Sequence, residues 1–312
     1  MFAARVDAAP HWPALLDAAE LGALAARARD WVHAPTPLEI HEHHAGDWPS
    51  TALGRGLDFE EARPYAPGDD LRDMDWRSTA RLGHPFIKTY REERLPICHL
   101  VLDRTATMRF ATRRRLKVAQ AARVLLLAGF AAMDAGMAVA ATAWDERDLW
   151  WPARHGEGAW LELAQSLIAP CPPPLQLQAA THADAHALQR LDHLAQELPA
   201  GCHVWLASDL VWLGERTAPA LARLAHRRRL RLVRVLDPVE TGWPALGAAG
   251  LEDLATGARH WLGGQAALNE RLRHANAERL ATQDALLQRH GLRAIDVATP
   301  QDELLSTLGP HG

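Results

Sequence analysis

Cysteine is scarce: the 312-residue chain holds three, Cys98, Cys171 and Cys202, with no CxxC spacing among them. An odd, scattered set argues against a disulfide framework and a cysteine zinc site, and suits a reducing compartment. Long apolar runs are also scarce. The longest, Val124 to Met133 ("VLLLAGFAAM"), is about half of the roughly 20 residues a bilayer demands, so it reads as a buried helix and not a membrane span. The opening residues "MFAARVDAAPHWPALLD" lack the basic start, apolar middle and small-residue cleavage site of a signal peptide, and a cytoplasmic location is the expectation. Net charge is small, with 34 basic against 38 acidic residues and a formal charge of -4. Such a balance supplies no global field for nucleic acid or anionic lipid. No G-x-S-x-G elbow and no G-x-x-x-x-G-K-[ST] phosphate loop occurs, which argues against nucleophile-elbow hydrolases and P-loop nucleotide hydrolysis.

What is present is the ordinary material of a protein with a core: 48% hydrophobic and 23% charged residues. The twelve tryptophans follow no repeat and read as core packing. Apolar residues at helical spacing predict an N-terminal helix from Leu15 to Val32, closed by the Pro-containing "HAPTPLEIHEHH". After residue 95, strands are expected at Ile97 to Asp103, Ala138 to Trp144, Asp148 to Pro152, His203 to Asp209, Leu230 to Leu236 and Arg293 to Val297. Helices are expected between them at about 113–135, 157–168, 183–198, 215–228 and 266–290, with a short hairpin at 251–262 around Thr256-Gly257. Alternating strands and helices imply a doubly wound, mostly parallel α/β sheet, here with an N-terminal helical and irregular or β extension. The expected division is 1–94 and 95–312.

Residues 54–94 differ in kind. They hold 17 charged residues, 8 basic and 9 acidic, punctuated by Gly and Pro. Balanced opposite charges suggest a module of arginine–carboxylate bonds and not a nucleic-acid stripe. Arg63, Arg72 and Arg81 are candidates for forked bonds to Asp69, Asp70, Asp73 or Asp75, with Tyr65 and Trp76 as apolar anchors and Gly68 permitting a tight turn. Two other charged stretches read as ordinary surface: "HEHH" at His41–His44 lacks the H-E-x-x-H spacing of a helical metal site. "AHRRRLRLVR" at 225–234 is the end of a helix and the start of a strand.

The stretch "HLVLDRTATM", 99–108, carries the sharpest chemistry. An apolar strand ends on Asp103, and hydroxyls follow on alternate residues at Thr105 and Thr107. A second strand, "CHVWLASDL", ends in Ser208-Asp209, and Thr181 opens a helix between them. A carboxylate and hydroxyls at a buried strand end need partners. Helix and turn capping is one answer; the other is a hard cation, Mg²⁺ or Mn²⁺, on two carboxylates and three hydroxyls. Ligands of doubly wound sheets bind at such strand ends.

The D-x-T-x-T arrangement resembles the metal-ion-dependent adhesion site of von Willebrand factor A domains, usually D-x-S-x-S with a later Thr and a later Asp. More specifically, "GRGLDFEEARPYAPGDDLRDMDWRSTARLG" followed by "LVLDRTATM" resembles the MoxR-associated bacterial family called domain of unknown function 58. The residues carrying the match are Gly54, Gly56, Phe59, Arg63, Tyr65, Gly68, Asp69, Asp70, Arg72, Asp75, Trp76, Ala80 and Arg81. The resemblance implies a von Willebrand factor A-type domain in which Thr105 and Thr107 ligate directly, Asp103 and Asp209 ligate directly or through water, and Thr181 is the distal threonine. Threonine at both serine positions, and Arg104 between them as a cation in its own right, depart from the usual pattern. The resemblance also implies a non-catalytic adaptor working with a MoxR-type AAA+ ATPase in chaperone-like maturation of a client protein, and it points to the members without membrane segments. A metal-dependent hydrolase of a phosphate or ester is the other class, although a positioned base or nucleophile is not evident beyond the ligands themselves.

Overall fold

Apolar strands alternating with Ala- and Leu-rich helices leave each strand with two faces to bury, and a sheet with helices on both sides achieves this. The computed structural model describes residues 13–32, 53–91, 96–112, 114–172, 183–241, 249–252, 259–262 and 266–308. Its elements run α1 (Ala18–Val32), β1 (Leu53–Pro64), α2 (Trp76–Leu82), β2 (Phe86–Arg91), β3 (Ile97–Asp103), α3 (Lys117–Asp134), β4 (Ala138–Trp144), β5 (Leu149–Arg154), α4 (Glu157–Leu167) and α5 (Ala183–Glu197). They continue with β6 (His203–Ser208), α6 (Thr217–Ala225), β7 (Arg229–Leu236), α7 (Pro238–Thr241), β8 (Ala249–Glu252), β9 (Arg259–Leu262), α8 (Ala266–Arg289), β10 (Ala294–Ala298) and α9 (Leu305–Leu308). Single 3-10 turns lie at Leu71–Asp73 and Ala106–Met108. His41–His44, Thr181 and Thr256-Gly257 lie outside the described residues.

Backbone contacts divide the chain into two units, Met1–Leu38 with Ile97–Gly312, and Glu39–Pro96. This corrects the grouping of the N-terminal helix with the charged segment. Leu24, Ala28 and Trp31 of α1 are buried, and the helix packs on α3, so its apolar stripe is a part of the larger core.

The larger unit contains a six-stranded sheet in the order β10-β7-β6-β3-β4-β5. All neighbours are parallel except β4 and β5. The exception has a simple cause: residues 145–148 are too few for the crossover that a parallel partner requires, so they close a hairpin. The chain runs outward from β3 to β4 and β5, then returns to the other side of β3 with β6, β7 and β10. The switch in direction therefore falls at the carboxyl ends of β3 and β6.

Leu191 and Leu194 of α5, Leu221 and Leu224 of α6, and Leu286 and Leu287 of α8 share one core cluster with Val101, Val204 and Leu206. Helix α3 packs against β3 and β6 and also against α1 and α4, with every residue from Lys117 to Ala132 buried. Gly129 makes its contact with α4 possible, because a Cβ there would lie 2.2 Å from the Trp160 ring. No helix among the described residues is long and apolar enough to cross a membrane.

One buried group makes this core sensitive to pH. His99, fully buried on β3, meets Thr142 Oγ1 at 2.7 Å through Nε2 and lies 4.8 Å from the Trp150 ring. Burial disfavours its charged form and pushes the imidazole pKa from 6.5 down to about 3. Below pH 6.5 the unfolded chain takes up a proton that the folded chain does not, so this contribution is complete above 6.5 and is lost as pH falls toward 3. The slope is about 1.4 kcal/mol per pH unit. Urea unfolding of the wild type between pH 6.5 and 4.5 should show this slope in excess of that of His99→Gln; equal slopes would mean that His99 protonates freely in the folded state.

Candidate functional site

Strand β3 delivers Asp103, fully buried, to the switch point, and β6 delivers Ser208 and Asp209, also fully buried. Asp103 is the hub. Its Oδ1 accepts from the Thr105 backbone N–H at 2.9 Å and from Thr105 Oγ1 at 2.7 Å. Its Oδ2 accepts from Ser208 Oγ at 2.6 Å and from Trp212 Nε1 at 3.3 Å. Ser208 Oγ accepts in turn from Trp212 Nε1 at 2.9 Å and from the Leu210 N–H at 3.0 Å. Two strand ends are thus joined by side chains whose hydrogen-bonding needs are met by one another.

The turn after β6 is constrained. Leu210 is fully buried at φ 57°, the one non-glycine residue with positive φ among those described. A leucine held in the left-handed region costs free energy and persists only where its surroundings enforce it. Here Gln283 of α8 donates to the Leu210 carbonyl at 2.7 Å, and Arg234 of β7 donates to Gln283 Oε1 at 3.2 Å. That arrangement turns Asp209 toward the start of α3, where its Oδ2 accepts from Lys117 Nζ at 2.8 Å.

Lys117 is the cation of the site. Its side chain is 3% exposed, and Nζ also lies 3.3 Å from Glu240 Oε1. Glu240 of α7 accepts in addition from Arg279 at 3.1 Å and from the Asp237 N–H at 2.8 Å. Asp237 follows β7 as Asp103 ends β3, and it too is fully buried. It accepts from the Thr112 N–H at 2.9 Å, from the Thr112 hydroxyl, from the Val239 N–H at 3.1 Å and from Thr299 Oγ1 at 3.2 Å. Three adjacent strands therefore end in buried carboxyl groups.

Burial raises the pKa of Asp103, and the nearby Asp209 carboxylate raises it further, outweighing the hydrogen bonds from Ser208 and Thr105. Asp209 goes the other way. Burial opposes its charge, but the Lys117 ammonium outweighs burial, helped by the Val211 N–H and the Thr107 hydroxyl, and holds this carboxyl below its ordinary range. Burial likewise works against the Lys117 ammonium, and Asp209 and Glu240 more than compensate, so its pKa is raised.

Of the five residues expected at a cation site, the structure brings together Asp103, Thr105, Thr107 and Asp209; Thr181 lies outside the described residues. Thr105 and Thr107 are half-buried, and their hydroxyls hydrogen-bond to the two buried acids, Thr105 to Asp103 and Thr107 to Asp209. The oxygen-only set fits a hard divalent ion in its chemistry. Among the described residues no group of three or more His, Cys, Asp or Glu side chains forms a metal site, so a cation here would depend on the threonine hydroxyls.

Arg104 does not serve this site. Its guanidinium donates to Asp145 Oδ2 at 3.0 Å and to the Pro170 carbonyl at 2.8 Å, because the chain turns after β3 and sends alternate side chains in different directions. The cation beside Asp209 is Lys117 instead. It is one of two lysines in the chain, the other being Lys88, and that scarcity is a sequence signal for a position needing a compact ammonium. Asp237 was legible too, since "RVLDP" repeats the pattern of an apolar run closing on Asp.

In the smaller unit, β1 and β2 form an antiparallel pair. One expected fork is present: Arg63 donates to Asp69 at 2.7 and 2.6 Å, and the Ala66 N–H donates to the same carboxylate at 2.8 Å. Gly68, at φ 109°, makes the turn before it. The forks expected of Arg72 and Arg81 are not found among the described residues, because Asp70 and Asp75 serve as helix caps. Asp70 accepts from the Arg72 N–H at 3.0 Å; Asp75 accepts from the Arg77 and Ser78 N–H groups at 3.1 and 3.2 Å. Tyr65 is half-buried, whereas Trp76, the other expected anchor, is 70% exposed.

Comparison with known proteins finds a family model, described as protein of unknown function DUF58, matching residues 61–286. Uncharacterized proteins of Mycobacterium bovis and of two strains of Mycobacterium tuberculosis are 30% identical over 222 residues, 70% of this chain. The chain spans 66% of the length of those relatives. Among solved structures, it is similar to an aerotolerance-related membrane protein from Bacteroides fragilis, at TM-score 0.40 and 13% identity over 65% of this chain and 92% of that one. It is also similar to the conserved hypothetical protein BatB from Bacteroides thetaiotaomicron, at TM-score 0.39 and 11% identity over 68% and 94%.

Proposed function

From the premise that this chain belongs to the DUF58 family of proteins of unknown function, we propose that it is a non-catalytic protein-binding module. Its larger unit is read as a von Willebrand factor A-type domain. It works as an adaptor with a MoxR-type AAA+ ATPase in the cytoplasm, in chaperone-like maturation of a client protein. One observation carries the reading: Asp103 and Asp209 lie at the switch of strand direction, hydrogen-bonded to the half-buried Thr105 and Thr107.

Thr105, Thr107, Asp103 and Asp209 would hold Mg²⁺ or Mn²⁺, and such an ion supplies a positive centre for a partner's carboxylate. The chain's own residues do the rest. Asp103 fixes the Thr105 hydroxyl, and Lys117 keeps Asp209 ionised and oriented. A hydrolase acting on a phosphate or ester is less well supported. Ser208 is fully buried and bonded to Asp103, Trp212 and Leu210, with no histidine among its partners to activate it.

The test is capture of a purified MoxR-type ATPase by the immobilised chain in Mg²⁺. Thr107→Ala should reduce capture by about tenfold or more while circular dichroism stays unchanged, and Thr107→Ser should restore it. Equal capture by wild type and Thr107→Ala would remove this site from the interface.

A further inference from the structure

The smaller unit presents a face that the strand-end chemistry does not use. Helix α2 has no buried residue, nor does the 3-10 turn before it. Yet the segment is held firmly. Asp75 caps its start, Ser78 Oγ donates to Asp75 Oδ2 at 2.6 Å, and Gly83, at φ 76°, closes its end. The Asp75 N–H donates to the Phe86 carbonyl at 2.8 Å and the Phe86 N–H donates to Thr79 Oγ1 at 3.0 Å, fastening α2 to β2. The result is an ordered, solvent-facing platform.

Two kinds of side chain stand on it. Leu71, Trp76 and Leu82 are 60%, 70% and 48% exposed. Arg72, Arg77 and Arg81 are exposed as well, and among the described residues their guanidinium groups have no ion-pair or hydrogen-bond partner. The acids that could neutralise them are engaged elsewhere: Asp69 with Arg63, and Asp75 with the backbone at the start of α2. Asp73 is half-buried beside them.

Helix stability does not account for Arg77. It lies one turn before Arg81, where like charges repel, and it sits in the first turn, at the positive end of the helix, whereas Arg81 is in the last turn, where a cation is favoured. Exposed tryptophan flanked by unpaired arginine is the composition of binding hot spots.

We propose that this face docks an acidic protein segment carrying an apolar side chain among its carboxylates. The arginines take the carboxylates, bidentate where geometry allows, and the exposed Trp76 takes the apolar group. This deepens the binding-module reading and rests on it, by naming the chemistry of a partner.

The probe is a fluorescein-labelled glutamate-rich peptide with interspersed leucines, followed by anisotropy with the full chain. Saturable binding should exceed that of an all-glutamate peptide and weaken with added salt. Trp76→Ser and the pair Arg77→Glu with Arg81→Glu should each weaken it by about tenfold or more; Thr107→Ala should leave it unchanged. Loss of peptide binding in Thr107→Ala alone would place the acid-binding site at the strand ends and overturn the assignment. So would equal binding by wild type and the charge-reversed variant, self-association in sedimentation that Trp76→Ser abolishes, or preference for anionic phosphatidylglycerol vesicles over the peptide. Failure of the peptide with intact capture of the ATPase overturns this inference and leaves the strand-end reading standing.

Discussion

Replacing Lys117 with methionine is expected to cost the fold about 3–5 kcal/mol. Methionine fills a similar volume, so the loss is one of charge. In the native protein the ammonium lies 2.8 Å from Asp209 Oδ2 and 3.3 Å from Glu240 Oε1, with its side chain 3% exposed and that of Asp209 fully buried. Removing it strands the Asp209 carboxylate in a site that water cannot repair. Glu240 keeps its bond from Arg279, so the penalty falls chiefly on Asp209. Adding Asp209→Asn to Lys117→Met removes the orphaned charge and should recover part of the loss, which separates an electrostatic cause from simple misfit. Urea denaturation of the two variants and the wild type checks this. A single variant within about 1 kcal/mol of wild type would show that Asp209 needs no internal counter-ion.

Much of this architecture was legible because it follows from periodicity. Strands alternating with helices after residue 95 predict the sheet, and the six expected strands are found within two residues of their predicted limits. Asp103 and Asp209 were visible because a carboxylate at the end of an apolar run conflicts with burial unless it is partnered. The scarcity of lysine singles out Lys117, but its pairing was not visible, since it opens a long apolar helix 92 residues before Asp209 and only the fold joins them. The antiparallel pairing of β5 was available from its short connection to β4 but needed the loop length and not the hydrophobic pattern. In the charged segment, alternating signs suggested that arginines and carboxylates would bind one another. The backbone competed successfully: Asp70 and Asp75 precede helical turns, where unpaired N–H groups are nearest to hand. That competition leaves Arg72, Arg77 and Arg81 facing solvent, and Trp76 exposed where burial was expected.

The second large effect is a response to metal. Mg²⁺ or Mn²⁺ at about a hundredfold excess over its dissociation constant should stabilise the folded chain by about 2.7 kcal/mol relative to chelator, raising the unfolding temperature by roughly 5–10 °C. Burial and Asp209 raise the pKa of Asp103, and a cation favours the carboxylate, so binding should weaken as pH falls. Thr107→Val keeps the branched shape and deletes the oxygen, and it should abolish most of the temperature rise. Calorimetric titration of Mn²⁺ into the full chain, beside Thr107→Val, is the most direct measurement. One saturable site is expected in the wild type, weakened by about tenfold or more in the variant. Heats of dilution alone in the wild type, or identical isotherms in the two proteins, would contradict it.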